Sequence, residues 1–465
     1  MPERILFLTG HLARPRLEKV LTGLMDPGFD WSVHDIGVKV AALMTETIIS
    51  RRLPRPIEAN RILLPGRCRA DLQRLSAEFN VPFERGPEEL KDIPAYFGRR
   101  GHAPDLSRYD MRIFAEIVDA PSLSVDAIRA RALRMRQSGA DVIDLGCLPD
   151  TPFAHLETAI GELKGVGLSV SVDSANPDEL RRGARAGADF LLSLDEDTLE
   201  IAAGTGTSPV LVPATHGDLG SLLRAAEAAE RHGMRAILDP VLDPIHFGFM
   251  ESLARYAELR KRMPNAEMLM GTGNLTELTD ADSAGVTAVL LGICSELAIR
   301  NVLVVQVSPH TRRTIEEHDA ARSLMFAARS DGSLPKDISD ALVQLHAKKP
   351  FPNTPQEIAE LAREVKDRNF RIEVAEDGIH IYNRDVHHVS ADALSVFPKL
   401  GVDRDGPHAF YLGTELAKAE IAWRLGKRYA QDEPLDWGCA VDRDPEDLTR
   451  LREAGHTLRG SIPES

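Results

Sequence analysis

The stretch Leu168-Ser169-Val170-Ser171-Val172-Asp173-Ser174-Ala175-Asn176-Pro177 decides the fold. Its first five residues alternate apolar and small polar side chains, with β-branched Val, and read as a short strand. Asp173 to Pro177 then has the form of a helix cap followed by Pro near the first helical position. A helix is predicted over 177–186, so the stretch is the hinge of one βα unit. Outward from it the same pattern recurs. Strands are predicted at 112–118 (RIFAEIV), 142–145, 190–194, 210–213, 236–238, 268–270 and 302–307. Amphipathic helices are predicted between them at 125–137, 219–232, 249–262 and 282–298. Eight βα units are the number that closes a TIM barrel, typically of about 250 residues. A doubly wound open sheet competes, but its Gly-rich first turn is missing after Val118. The predicted class is therefore α/β, with a central TIM (β/α)8 barrel.

Both flanks differ from this core. Over residues 1–100, strand signals at 4–9, 31–36, 61–64 and 81–83 alternate with helical periods at 16–24, 40–51, 71–79 and 88–97. That alternation predicts a small parallel-sheet domain. Gly98 to Pro104 is polar and rich in breakers, and reads as a linker. Beyond about Ala320 the pattern changes. Strands at 370–374 and 378–382 around Glu376-Asp377-Gly378 predict a hairpin, and 411–428 a long helix. In that helix Ala409, Leu412, Leu416, Ala419 and Trp423 share one apolar face. The predicted division is a small α/β domain at 1–100, a barrel at 110–318 and an α+β domain at 330–465.

Composition excludes several classes. Over 465 residues, Lys+Arg 56 against Asp+Glu 71 gives a net charge of −15. An acidic chain is ill suited to coat nucleic acid or an anionic membrane. Cys68, Cys147, Cys294 and Cys439 are scattered with no CxxC pair, so neither a disulfide framework nor a Cys-rich zinc site is expected. The N-terminal apolar run, Ile5 to Leu8, is too short for a signal segment, and no stretch approaches the ~18 apolar residues of a membrane span. A cytoplasmic enzyme is expected.

In a TIM barrel the active site forms at the carboxyl ends of the strands. The polar residues closing the predicted strands are Asp119, Asp144, Asp173, Ser193 or Asp195, His216, Asp239, Asn274 and the region Gln306 to Arg313. Carboxylates converging on one mouth raise one another's pKa and accept from a flat, donor-rich ligand such as a 2-amino-4-oxopteridine. The alternative for each Asp is that it caps the helix that follows. His310, Arg312 and Arg313 follow the last strand, and paired Arg suits phosphate; a basic, solvated helix start is the other reading. His216 and His246 offer an acid or a phosphate donor, or are simply exposed.

These motifs resemble a known family. The 168–177 stretch resembles the strand and turn of dihydropteroate synthases and related pterin-binding barrels. Gly187-Ala188-Asp189-Phe190-Leu191-Leu192-Ser193 looks like their next strand, where the family usually has Asn. Ile237-Leu238-Asp239-Pro240 matches their LDPG strand, and Met270-Gly271-Thr272-Gly273-Asn274 is similar to the GLSN turn of pterin-dependent methyltransferases. The resemblance covers roughly 111–310. It implies that Asp173, Asp239 and Asn274 hold a pterin, together with Asp144 and Ser193. This sequence departs from the family where an Asn, a Lys and an Arg-x-His are usual; the corresponding places here look like Asp119, Asn274 and Gln306-Val307-Ser308.

The segments Ile5 to Pro15 and His408 to Glu420 resemble the flanks of the dihydropteroate synthase-like proteins linked to tetrahydromethanopterin biosynthesis in methanogens and methylotrophs. The implied activity is a transferase joining a 7,8-dihydropterin-6-ylmethyl diphosphate to an arylamine, here a ribofuranosylaminobenzene 5′-phosphate. Asp119 and Asp239 would be catalytic, with Mg2+ held through Asp119 and the diphosphate. His216, His310, Arg312 and Arg313 would bind phosphate. No tightly bound organic cofactor is expected, and related barrels suggest a homodimer. Two alternatives remain open: a pterin-dependent methyltransferase served by a separate corrinoid protein, and a non-catalytic pterin-binding protein. The string Asp385-Val386-His387-His388-Val389-Ser390 lacks the Gly of a corrinoid-binding motif.

Overall fold

The computed structural model describes residues 2–24, 27–87, 90–98, 105–149 and 151–442. Most of the expected linker at 98–104 therefore lies outside the described residues, as does the end of the chain. The chain forms two compact units. One comprises Met1–Tyr109 with Phe326–Ile338; the other comprises Asp110–Met325 with the chain from Ser339 on. Of the segment expected as a third domain, residues up to Ile338 fall in the first unit and the chain from Ser339 on falls in the same unit as the barrel.

The first unit holds a four-stranded sheet of β1 (Glu3–Thr9), β2 (Phe29–Asp35), β3 (Arg61–Leu64) and β4 (Phe83–Arg85), in the order β2-β1-β3-β4. Every pairing in it is parallel, as the alternation predicts. Its helices are α1 (Arg14–Thr22), α2 (Glu46–Arg52), α3 (Leu72–Phe79) and the single turn α4 (Ile93–Tyr96). The helix expected over 40–51 is split: a 3-10 turn at Ala41–Leu43 precedes α2, whose start is set by Thr45 accepting from the Ile48 N–H.

The second unit contains a closed barrel of eight parallel strands. They are β5 (Arg112–Ile117), β6 (Val142–Gly146), β7 (Ser169–Asp173), β8 (Phe190–Leu194), β9 (Ser208–Leu211), β10 (Ile237–Leu238), β11 (Glu267–Gly271) and β12 (Asn301–Val304). β12 pairs with β5 and closes the ring. Around it run α5 (Val125–Gln137), α6 (Leu156–Gly165), α7 (Pro177–Arg185), α8 (Leu219–Arg231), α9 (Phe249–Arg262), α10 (Gly273–Thr276), α11 (Ser283–Glu296) and α12 (Thr314–Ser330). Two units are irregular. Between β8 and β9 there is only a 3-10 turn, Leu199–Ala202, and the last strand stops at Val304 instead of residue 307.

The period-two alternation of a strand separates two cores. Ile113, Ala115, Ile143, Leu145, Val170 and Val172 point out and pack under the helices. Phe114, Val142, Phe190, Leu192, Val210, Ile237 and Leu269 point in and plug the barrel, with Leu303 against them. This apolar layer is the floor on which the polar mouth rests.

The remainder of this unit is α13 (Pro355–Glu364), a three-stranded antiparallel sheet of β13 (Arg371–Ala375), β14 (Gly378–Tyr382) and β15 (His387–Ser390), α14 (Ala393–Val396) and α15 (Gly406–Leu425). The expected hairpin is β13–β14; Gly378, at φ 141°, starts its second strand. Leu412, Leu416 and Ala419 of α15 bury against Ile372, Val374, Ile379 and Ile381. The string compared with a corrinoid motif supplies the edge strand β15. No helix among the described residues is long and apolar enough to cross a membrane.

Candidate functional site

Strand periodicity carries four carboxylates to the barrel mouth. Two residues above Phe114 and Val142 stand Glu116 and Asp144, on the same inward face. Asp173 ends β7, and Asp239 follows β10 two residues above Ile237. Asp144 is fully buried and accepts from the Ser171 hydroxyl at 2.6 Å, while its other oxygen has no partner. A Cβ at Gly146 would displace the Glu116 carboxylate, standing 2.5 Å from its Oε1, and would press on the Val118 Cα at 3.1 Å.

The groups are electrostatically linked. Burial and the nearby Asp173 push the Glu116 carboxyl up to about 7. Burial, then Asp173 and Glu116, hold Asp144 well above the usual carboxylate range. Burial raises Asp173 against the opposing Ser193 hydrogen bond. Burial also takes Asp239 up to about 6, although hydrogen bonds from Tyr256 and the Val241 N–H oppose it. Burial and mutual repulsion both disfavour ionising all four, so the cluster can offer donors as well as acceptors.

Two of the four carboxylates are held by backbone in an uncommon conformation. The Ser193 hydroxyl donates to Asp173 Oδ1 at 2.6 Å from a residue at φ 62°, where the β8–β9 register shifts. The Val241 N–H donates to Asp239 Oδ1 at 2.8 Å from a residue at φ 66°. A β-branched residue at positive φ is a genuine outlier, and such strain persists only where the surroundings over-determine it. Arg255 does so here: it donates to the Val241 carbonyl and to Asp243 Oδ2, at 2.8 and 2.7 Å.

Helix α7 is capped by Asn176, whose Oδ1 accepts from the Asp178 N–H, and Pro177 follows; Asp173 takes no part. Of the pair Ser193 or Asp195, Ser193 meets the cluster and Asp195 is spent on Thr198 and the Asp197 N–H. Asn274 is exposed at the rim, where its Nδ2 donates to the Leu242 carbonyl at 2.6 Å. It therefore ties the loop after β10 to the turn after β11.

Other expected residues lie elsewhere. Asp119 stands past the end of β5 and accepts from Arg131 of α5 at 2.8 Å. To serve as the expected Mg2+ ligand, Asp119 would have to share its charge with that guanidinium; among the described residues no group of three or more His, Cys, Asp or Glu is placed to hold a metal. Glu116, not Asp119, is the carboxylate that the first strand contributes. The sequence signal was present, because Phe114 and Glu116 share a face, but the rule of taking the residue that closes each strand passes over it. His216 is largely exposed, 3.4 Å from Asp243 Oδ1, and His310 Nε2 donates to the Thr276 carbonyl at 3.0 Å. Arg313 is engaged by Glu316, Asp442 and the Cys439 carbonyl, so it does not reach toward the four carboxylates as a free phosphate ligand.

Similar proteins are known. Residues 3–88 match a family of unknown function, DUF6513. The uncharacterized protein MJ0107 of Methanocaldococcus jannaschii is 26% identical over 525 residues, covering 92% of this chain and 98% of its own length. Among solved structures, the dihydropteroate synthase of Thermus thermophilus shares 22% identity, covering 50% of this chain and 96% of its own, with a TM-score of 0.38. That of Yersinia pestis shares 21% identity, covering 49% and 95%, with a TM-score of 0.37.

Proposed function

We propose that the chain is a pterin-binding transferase that joins a 7,8-dihydropterin-6-ylmethyl diphosphate to an arylamine. The observation that carries this reading is the convergence of Glu116, Asp144, Asp173 and Asp239 above an apolar floor. A reduced pterin presents an amino group and ring N–H groups along one edge of a flat, otherwise apolar ring. Buried carboxylates satisfy those donors, and ligand donors in turn stabilise the ionised carboxylates that burial disfavours. The resemblance of the strand ends at Asp173, Asp239 and Asn274 to pterin-binding barrels supports the same ligand.

In this reaction the arylamine nitrogen attacks the methylene carbon, a C–N bond forms, and the C–O bond to diphosphate breaks with its electron pair. The nitrogen then loses a proton. A group titrating near 7 is matched to that task at neutral pH, which favours Glu116 as acceptor. Holding both substrates in line supplies most of the acceleration. The arylamine we favour is the phosphorylated ribofuranosylaminobenzene of tetrahydromethanopterin biosynthesis, which the flanking segments suggest.

One observation favours a second reading, a pterin-binding protein without the reaction: Arg313, expected to bind phosphate, is neutralised by Glu316 and Asp442. Calorimetry with a reduced pterin tests both readings. Binding at about micromolar Kd, near −8 kcal/mol, is expected for the wild type and should weaken in Asp173→Asn. Absence of pterin binding removes both readings. Formation of the coupled product from the diphosphate and the arylamine then separates enzyme from binder.

A further inference from the structure

A cavity lies outside the barrel mouth, on the outer wall at the seam where β12 pairs with β5. It encloses about 730 Å³ between α5, the start of α12 and the segment Gly438 to Asp442. Four arginines line it in a chain of net charge −15: Arg131 and Arg134 from one face of α5, and Arg312 and Arg313 ahead of α12. Its three lining carboxylates are already engaged. Glu316 and Asp442 meet Arg313, and Asp319 meets Arg322.

The arginines divide into two kinds. Arg131 is pinned to Asp119 at 2.8 Å, and Arg313 to Asp442 at 2.8 Å and Glu316 at 3.0 Å. Arg134 and Arg312 are exposed and pair with no carboxylate among the described residues; Arg312 makes only a long 3.4 Å contact to the Pro309 carbonyl. Two guanidiniums from different elements line one concave surface without an ion-pair partner of their own, which suits an anion held from two sides. Arginine's planar fork suits the oxygens of a phosphate more than a point charge does.

We propose that this groove binds the phosphate groups of a small molecule, with Arg134 and Arg312 as the principal ligands and Arg131 and Arg313 as the braced walls. The site stands apart from the carboxylates of the mouth and does not require the pterin reading. If that reading holds, the groove would suit the phosphate of a substrate entering beside β5, because Arg131 reaches both the groove and Asp119 at the rim.

The test is calorimetry of the full chain with inorganic phosphate, diphosphate and ribose 5-phosphate as probes, at low and moderate salt. Wild-type binding to at least one probe at a Kd on the order of 10–100 micromolar is expected, weakening as salt rises. Arg134→Ser combined with Arg312→Ser should weaken it about tenfold or more, while the control Arg185→Ser on α7 should not. Preference among the probes tells a bare phosphate from a diphosphate or a sugar phosphate. No binding of any probe to the wild type, or equal loss in the control, overturns the proposal. Pterin binding measured on the same double variant keeps the two readings distinguishable, since it should be unchanged whatever the groove does.

Discussion

The Tyr256 hydroxyl, wholly buried on α9, donates to Asp239 Oδ1 at 2.6 Å. A helix of the outer ring thereby fixes a carboxylate at the mouth, through a side chain that the sequence offers only as one more apolar position. Tyr256→Phe removes the donor and leaves Asp239 with the Val241 N–H alone. An under-satisfied buried carboxylate costs about 1–3 kcal/mol. Denaturant unfolding at neutral pH should show that loss, and it should shrink at a pH well below about 6, where Asp239 is protonated.

Glu116 carries the pH dependence of the mouth. Its carboxyl is raised from 4.5 to about 7, so its contribution to folding is fully favourable below about 4.5 and is lost as pH rises through about 7. Glu116→Gln keeps the shape and removes the ionisation. The variant should match the wild type near pH 4 and exceed it at pH 8 by on the order of 2–3 kcal/mol. Thermal unfolding across that range checks the sign. A variant less stable than the wild type at pH 8 would contradict the assigned strain.

Ser193 holds Asp173 from a left-handed backbone, and its two contributions can be separated. Ser193→Ala loses the hydroxyl but keeps the strained φ of 62°, whereas Ser193→Gly loses the hydroxyl and relieves the strain. Glycine should be the more stable of the two by about 1 kcal/mol. Both should bind a reduced pterin more weakly than the wild type, since Asp173 loses the same hydrogen bond in each.

Arg322 of α12 closes the ring from outside. It is buried, pairs with Asp141 and Asp319, and donates to the Met111 and Gly139 carbonyls at 2.8 and 3.0 Å. Arg322→Ala frees two carbonyls at the start of the barrel and leaves Asp141 with only the Ile113 N–H and Arg136, 3.6 Å away. The expected loss is about 3–5 kcal/mol. Arg185→Ala, on an exposed helix position, should change stability by less than about 0.5 kcal/mol.

Much of the mouth is legible in the chain because strand and turn signals are local. Asp144, Asp173 and Asp239 stand in or directly after short apolar runs, and those runs place them in or just beyond barrel strands. Asp119 misleads for the same reason: it follows an apolar run but stands beyond the strand, where Arg131 on the next helix takes it. The missing helix after β8 and the split over 40–51 were hidden because short apolar periods suit a helix or a 3-10 turn equally well.

Local patterns in the sequence carry the count of eight barrel strands, from which their order around the ring follows, and three of the four carboxylates. What only the tertiary structure decided is which of those groups meet. Closure of β12 on β5 brings the first and last units together, pairing Arg112 with Asn301 across 189 residues. The seam groove with its four arginines and the burial that shifts Glu116 follow from that closure, whereas Asp119 meets Arg131 within its own βα unit. Their physical cause is the charge and low dielectric that neighbouring elements impose on one another, and no local pattern encodes those.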